Sequence, residues 1–455
     1  MTKIRVLALD HFFDQDLCAL EAHPRLDVRR FPYQRLRGRA LRIMGSEVGR
    51  GLHTHNRTDL AAARGRYAAW LTREVRSLYL ERAFDVVVLP SDTFFYVRTL
   101  PAATHRLGIP VAVVQKETTI SSATMETFST EVRTEAPFVS DLMTVCSERQ
   151  REFWIRAGTP GDRIVITGQP RFDIYASAHA TAPSSRRRVL FLTYALDAYV
   201  PGAGRGKGLR TWESLRDATE RTLVALARDG ACDIVIKCHP QQDHQTESRR
   251  LEQIAGPTWN GAVRLAAADT DTRELIMDSD FVVGFQTTAL YEAVAACRRV
   301  IYAAWGAQYE ELRAGLIRFD EAPKECVAHA HSPEMLTAML SGAMAPPPGV
   351  CSAWYEQALG TVDGHATERV VDQLATLASS WSATEEVRRL ERHRRSFAVA
   401  LLARSLAAEV VWAAAMPVAH LAGERRRVAT RGRRAREARV MATKALRGNG
   451  GNDDV

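Results

Sequence analysis

The chain has 455 residues, 46% hydrophobic and 25% charged, with a formal net charge of +8. That length exceeds one ordinary core and fits two domains of about 150 to 200 residues with an appendage. The composition excludes disorder or a polytopic membrane protein for the bulk of the chain.

The charge is local. Nine Arg and one Lys stand against two Glu between Glu424 and Arg447, leaving a net of +2 over residues 1–423. A nearly neutral body with a basic arm speaks against a nucleic-acid-binding body. Seven cysteines without a C-x-x-C pair predict neither a disulfide framework nor a zinc site, and fit a reducing compartment. The opening MTKIRVLALD enters an alternating strand and lacks the apolar core of a signal peptide, so a cytoplasmic protein is expected.

In chain order, strands are predicted at IRVLAL from Ile4, FDVVVLP from Phe84, IPVAVVQK from Ile109, LMTVCS from Leu142 and RIVITG from Arg163. A helix with apolar spacing of three and four fills Asp59 to Arg82. The pattern lapses through ASAHATAPSSRRR and restarts at VLFLTY from Val189. It continues through CDIVIKCHP, VRLAA from Val263, FVVGF from Phe281 and RVIYAAW from Arg299, with helices at Trp212 to Arg228 and Thr288 to Cys297. Strand and helix alternating in two blocks imply an α/β protein of two facing Rossmann-like domains with a helical C-terminal extension. The expected boundaries are 1–172 for an acceptor domain, 173–188 for a linker and 189–383 for a nucleotide-donor domain. A basic and apolar tail over 384–447 and a disordered end over 448–455 follow.

Polar residues gather at the predicted strand ends of the second domain. Lys237 and His239 close CDIVIK, where positive charge can neutralise a leaving diphosphate. Gln286, Thr287 and Thr288 form a turn into a helix whose first N–H groups suit an anion. Glu292, one turn on, suits ribose hydroxyls; a helix cap and a favourable first-turn acid are the plain alternatives. Asp363-Gly364-His365-Ala366 with Arg369 opens a later helix. The Gly-rich PGAGRGKG lacks the ending of a phosphate loop and is expected to be a lid carrying Arg205 and Lys207.

Four motifs in order, GQPRFD at Gly168 to Asp173, K-x-H-P at Lys237 to Pro240, TTALYEA from Thr287 and D-G-x-A-x-x-R at Asp363 to Arg369, carry a resemblance. The chain resembles the bacterial surface-polysaccharide transferases of the GT-B fold, a group that includes capsule glycosyltransferases and CDP-glycerol glycerophosphotransferases. The match covers roughly residues 160 to 370. The Trp-His-Gly and Asp-Tyr-Ser-Ser marks of the glycerophosphotransferases are missing, which moves the expectation toward sugar transfer.

The resemblance implies a nucleotide-sugar donor, itself a substrate, a polysaccharide or lipid-linked acceptor and no cofactor. No metal is expected, because Lys237, His239 and a helix N-terminus supply positive potential and Asp269-x-Asp271 reads as a helix cap. The resemblance also implies a base for the acceptor hydroxyl in the first strand-to-helix loop, where His11 and Asp10 stand, with Glu117 as a third candidate. A polyol-phosphate transferase, a non-hydrolysing sugar-nucleotide 2-epimerase and a catalytically silent binding protein of the same fold are the alternatives. Arg404, Glu409 and Pro417 interrupt the apolar run from Ser396 to Gly423. The tail is therefore expected to lie on an anionic membrane at its cytoplasmic face rather than cross it.

Overall fold

Runs such as VVVL and FVVG have no polar alternation, so both sheet faces must be covered, and parallel strands joined by helices provide that cover. The computed structural model describes residues 3–382 except 12, 117–119, 121, 179–185, 199, 201–209, 240–241, 257–262, 318, 320–321 and 343–351, with only scattered positions beyond 388. Two compact units form. One gathers residues 1–114 and 135–143 with the chain from Val371, the other residues 115–134 and 144–370.

The first six strands are β1 (Ile4–Leu9), β2 (Leu26–Phe31), β3 (Val86–Leu89), β4 (Val111–Val114), β5 (Leu142–Val145) and β6 (Ile164–Ile166). They make one sheet in the order β2-β1-β3-β4-β5-β6, with β1 parallel to both β2 and β3. The next six are β7 (Arg187–Leu192), β8 (Cys232–Lys237), β9 (Val263–Leu265), β10 (Phe281–Gly284), β11 (Arg299–Ala303) and β12 (Val327–Ala330). They form a second parallel sheet in the order β12-β11-β10-β7-β8-β9. In each sheet the strand order reverses at one point, between β1 and β3 and between β7 and β10. Open α/β sheets bind ligands at the carboxyl ends of the strands beside such a reversal.

The helices used below are α1 (Asp14–Ala22), α2 (Tyr33–Met44), α3 (Ala61–Glu81), α4 (Leu100–His105), α5 (Met125–Glu135), α6 (Glu148–Arg156), α7 (Glu213–Arg228) and α8 (His244–Ala255). The later ones are α9 (Thr272–Asp278), α10 (Ala289–Ala295), α11 (Ala307–Leu312), α12 (Pro333–Ser341), α13 (Ser352–Leu359) and α14 (Ala366–Ser382). The helix expected over Asp59 to Arg82 is α3, which buries Tyr67, Leu71, Val75 and Leu78 along one face.

Two strands escape the sequence pattern, β2 and β12, and both are edges. An edge strand pairs on one side only and need not be apolar throughout. LDVRRF buries its two ends and leaves the residues between half exposed, and VAHA is four residues long. The cysteine expectation also needs correction. Cys18, Cys146, Cys232, Cys238 and Cys297 carry thiols, but Cys326 is disulfide-bonded. Spacing without a C-x-x-C pair does not exclude a single bridge between distant cysteines.

Two of the four motifs meet in the second unit and close it. The Asp173 carboxylate accepts from the backbone N–H groups of Ala366 and Thr367, at 2.8 Å each, and so caps α14 from a distant part of the chain. Arg369 donates to the Thr167 carbonyl at 2.7 Å and forks onto Asp363 at 2.8 and 3.0 Å. The hydrogen bonds from Arg369 hold the Asp363 carboxyl below its usual range. Gly168, at φ +77°, lies so close that a Cβ there would stand 3.0 Å from the Ala366 Cβ. Gly360, at φ +75°, leaves no room for a Cβ against the Cys146 carbonyl.

Removing a capping carboxylate costs about 0.5 to 2 kcal/mol. Asp173→Ala is therefore expected to lower the urea midpoint with an unchanged slope, and Asp173→Asn to recover part of the loss. An unchanged midpoint for the alanine variant would show that the cap contributes nothing.

Candidate functional site

At the reversal point of the first sheet, β1 ends at Leu9 and the chain passes through Asp10 and His11. Asp10 is occupied: its carboxylate accepts the Tyr33 backbone N–H at 2.8 Å, fixing the start of α2. His11 is 8% exposed. Its ring stacks on Tyr33 with centroids 4.0 Å apart and planes 22° apart, and Phe94 lies at 4.6 Å. The Tyr96 hydroxyl meets His11 Nδ1 in a short contact. Both Phe94 and Tyr96 come from the loop after β3, so the two strands flanking the reversal build one aromatic-walled imidazole.

Burial holds the Tyr96 phenol far above its usual range, so it stays protonated and can donate. When that proton is donated to Nδ1, a neutral imidazole carries its own hydrogen on Nε2. Taking up a proton at Nε2 requires the other tautomer, with Nδ1–H donating back to the Tyr96 oxygen. The third candidate, Glu117, lies outside the described residues, as do Arg205 and Lys207 of the expected lid.

In the second sheet, the polar strand ends are tied to protein partners. Lys237 is 7% exposed and its ammonium donates to the carbonyls of Ala267 and Ala268 at 3.0 and 2.8 Å. Burial lowers its pKa, with Asp269 and Asp271 acting in the opposite sense. His239 is half-buried in the following turn, its backbone N–H bonded to the Gln242 side chain at 2.7 Å. Asp271 caps α9 and pairs with Arg273 at 2.6 Å, which commits that carboxylate of Asp269-x-Asp271 to structure.

Gln286 holds φ +51°, a left-handed backbone unusual for a side chain with Cβ. Three hydrogen bonds enforce it: Nε2 donates to the Tyr302 hydroxyl and the Ile317 carbonyl at 2.6 and 2.7 Å, and Oε1 accepts the Ile317 N–H at 2.8 Å. Gln286 thus clamps the β10–α10 turn. Thr287 and Thr288 remain half-buried in that turn, with the Thr287 hydroxyl accepting the Ala289 N–H at 3.4 Å. Glu292 is 9% exposed and accepts the Tyr175 hydroxyl at 2.8 Å.

Sequence reasoning passed over Tyr33, Tyr96 and Tyr175, which position the candidates. Their only signal was adjacency: Tyr96 ends the run Phe94-Phe95-Tyr96 just past a strand, and Tyr175 follows GQPRFD by two residues. A buried network behind β7 and β8 was equally silent. Arg216 donates to the Tyr194 carbonyl at 2.8 Å and to Glu247 at 3.3 Å. Arg250 pairs with Asp217, Glu220 and Glu247. These bonds tie the loop after β7 to α7 and α8. Glu220 is fully buried, and burial pushes its carboxyl up to about 7 against the pull of Arg250.

No family model matches the chain, and no curated protein does. Among solved structures it is similar to a UDP-GlcNAc 2-epimerase from Neisseria meningitidis bound to UDP-GlcNAc, at 11% identity and TM-score 0.46, over 82% of this chain and 100% of that one. A 2-epimerase from Methanocaldococcus jannaschii in complex with UDP-GlcNAc and UDP is similar at 14% identity and TM-score 0.47, over 82% and 100%. A glycosyltransferase from Rickettsia africae is similar at 9% identity and TM-score 0.44, over 85% and 100%. At such distance the side chains of this chain must carry the functional reading.

The Glu220 shift has a sign that stability measurements can check. Its folded value lies above the ordinary carboxyl value, so this group's contribution is fully present below that ordinary value and is lost as pH rises through about 7. Urea midpoints measured between pH 5 and pH 8 should fall less steeply in Glu220→Gln than in the parent chain. Identical slopes would place the Glu220 pKa near its ordinary value.

Proposed function

We propose that the chain transfers a sugar from a nucleoside diphosphate sugar, or a nucleoside monophosphate sugar, to a cell-surface polysaccharide or lipid-linked acceptor. The observation that carries this reading is His11, buried among aromatic rings at the carboxyl end of β1 beside the reversal of strand order. An imidazole oriented in a buried aromatic wall is suited to engage an acceptor hydroxyl.

On the donor side, Thr287, Thr288 and His239 supply hydrogen bonds to the diphosphate, and Glu292, held by Tyr175, accepts from ribose hydroxyls. Lys237 adds positive potential from below while holding the Ala267 and Ala268 carbonyls. Tyr96 returns a hydrogen bond to whichever tautomer of His11 the step requires. The nucleotide sugar is substrate, so no cofactor is invoked. No metal is invoked either, because Asp271 is committed to its cap and to Arg273.

The place of action is the cytoplasmic face of the membrane, reached through the basic tail. Among the described residues no helix is long and apolar enough to cross a membrane. The tail positions that are described include the helical Val399, Leu406 and Val410, exposed at 56%, 44% and 70%. An apolar stripe between basic blocks suits a helix lying in the interface.

A thermal-shift screen against UDP-, GDP-, CDP- and CMP-linked sugars should find one donor that raises the melting temperature, since only the native chain binds it. His11→Ala should keep that shift and lose about 10²- to 10⁴-fold in acceptor-dependent turnover. Turnover without any acceptor, yielding an epimerised donor, would reverse the assignment in favour of a 2-epimerase. EDTA should leave the rate unchanged, and a rate restored only by Mg²⁺ or Mn²⁺ would refute the metal-free mechanism.

A further inference from the structure

The near-neutral total over residues 1–423 conceals a strongly basic segment. From Tyr33 to Leu80 the chain carries ten arginines and no lysine against three acids, Glu47, Asp59 and Glu74. Each acid is already paired within the segment: Glu47 with Arg50 at 2.9 Å, Asp59 with Arg57 at 2.6 Å, and Glu74 with Arg35. Arg42, Arg66, Arg73 and Arg76 are exposed and form no ion pair among the described residues.

Helical geometry gathers these charges. On α3 the buried Tyr67, Leu71, Val75 and Leu78 define the inner face, and at 100° per residue Arg66, Arg73 and Arg76 fall on the opposite side. On α2 Arg35, Arg39 and Arg42 share one face by the same spacing. The Arg39 guanidinium sits over the Trp70 ring of α3 at 5.5 Å, and the Arg35–Glu74 pair joins the two helices lower down. The positive charge is therefore fixed on a rigid helical pair.

We propose that the outer surface of α2 and α3 docks on an anionic phospholipid membrane, as a contact separate from the C-terminal tail. The charges lie along two neighbouring helices, about 15 Å from Arg66 to Arg76 at the helical rise, which suits a broad sheet of phosphates. A single-stranded polyanion needs aromatic platforms between the cations. Trp70, the one tryptophan of the segment, is covered by Arg39. Each basic residue at such a surface strengthens binding by roughly fivefold, within a Debye length.

The test uses the full chain with its tail intact. Arg42, Arg66, Arg73 and Arg76 are changed together to Gln, and in a second variant to Lys. Arg37, whose charge acts on Tyr96, is left in place. Sedimentation with vesicles of phosphatidylcholine containing phosphatidylglycerol, without any substrate, is then measured against vesicles of phosphatidylcholine alone. The Gln variant should bind the anionic vesicles at least about thirtyfold more weakly at low salt, the difference closing at high salt, and the Lys variant should bind like the parent.

Vesicle binding unchanged in the Gln variant would assign the membrane contact to the tail alone and overturn the proposal. So would loss of single-stranded DNA binding with vesicle binding retained, or equal loss in the Lys variant. Because no donor or acceptor is present, these outcomes are independent of whether sugar transfer is the reaction.

Discussion

Much of the second unit depends on a constraint at one junction: the N–H groups that open α14 have no partners within their helix, and Asp173 supplies them from nearly two hundred residues earlier. A capped helix start must sit where the cap is. Arg369, one turn into α14, reaches back to the Thr167 carbonyl just past β6, so the end of β6 and the start of α14 are fixed together. Gly168 and Gly360 make the approach possible, since each has positive φ and stands where a Cβ would press on the neighbouring chain. The motif letters GQPRFD and D-G-x-A-x-x-R thus describe a structural latch.

The same logic governs the strand ends of the second sheet. A buried donor or acceptor without a partner costs about 1 to 3 kcal/mol. Lys237, Gln286 and Glu292, all nine-tenths buried or more, each hold a bond to the protein. Lys237 carries the loop after β9, Gln286 carries the Ile317 segment, and Glu292 is held through Tyr175. In the proposed reading a diphosphate would meet the half-buried rim of Thr287, Thr288 and His239. Such a rim, shaped by a satisfied layer beneath it, keeps its geometry without a ligand, which is the condition for preorganised binding of charge.

The fold was legible because its signal is periodic. Among the described residues, ten of the twelve strands announce themselves as apolar runs, and the two that do not are edges, where one-sided pairing relaxes the demand for burial. The motifs fall in loops for a different reason, since strand ends beside turns must carry the residues that shape them. Roles within those loops were not legible. Nothing in the letters says that Asp10 is taken by the Tyr33 N–H while its neighbour His11 is held by a phenol, because those partners come from the loops after β2 and β3. The buried Glu220–Arg250 network was hidden for the converse reason. Its charged residues lie on amphipathic helices, where a sequence pattern assigns charges to solvent.

Charge bookkeeping failed in an instructive way. Summed over residues 1–423 the body is nearly neutral, yet Tyr33 to Leu80 alone holds seven positive charges net, so the rest of that body must be net negative. A total is blind to this because Coulomb interactions are screened over about 8 to 10 Å at ordinary ionic strength. An approaching surface senses the charges within that distance and not the molecule's sum. The pairing of Glu47, Asp59 and Glu74 with arginines of their own segment sharpens the point. The segment's acids are used in local ion pairs, and the exposed surplus is entirely cationic. The relevant unit of charge for recognition is then the helical face, which becomes visible only when side-chain positions say which arginines are already answered.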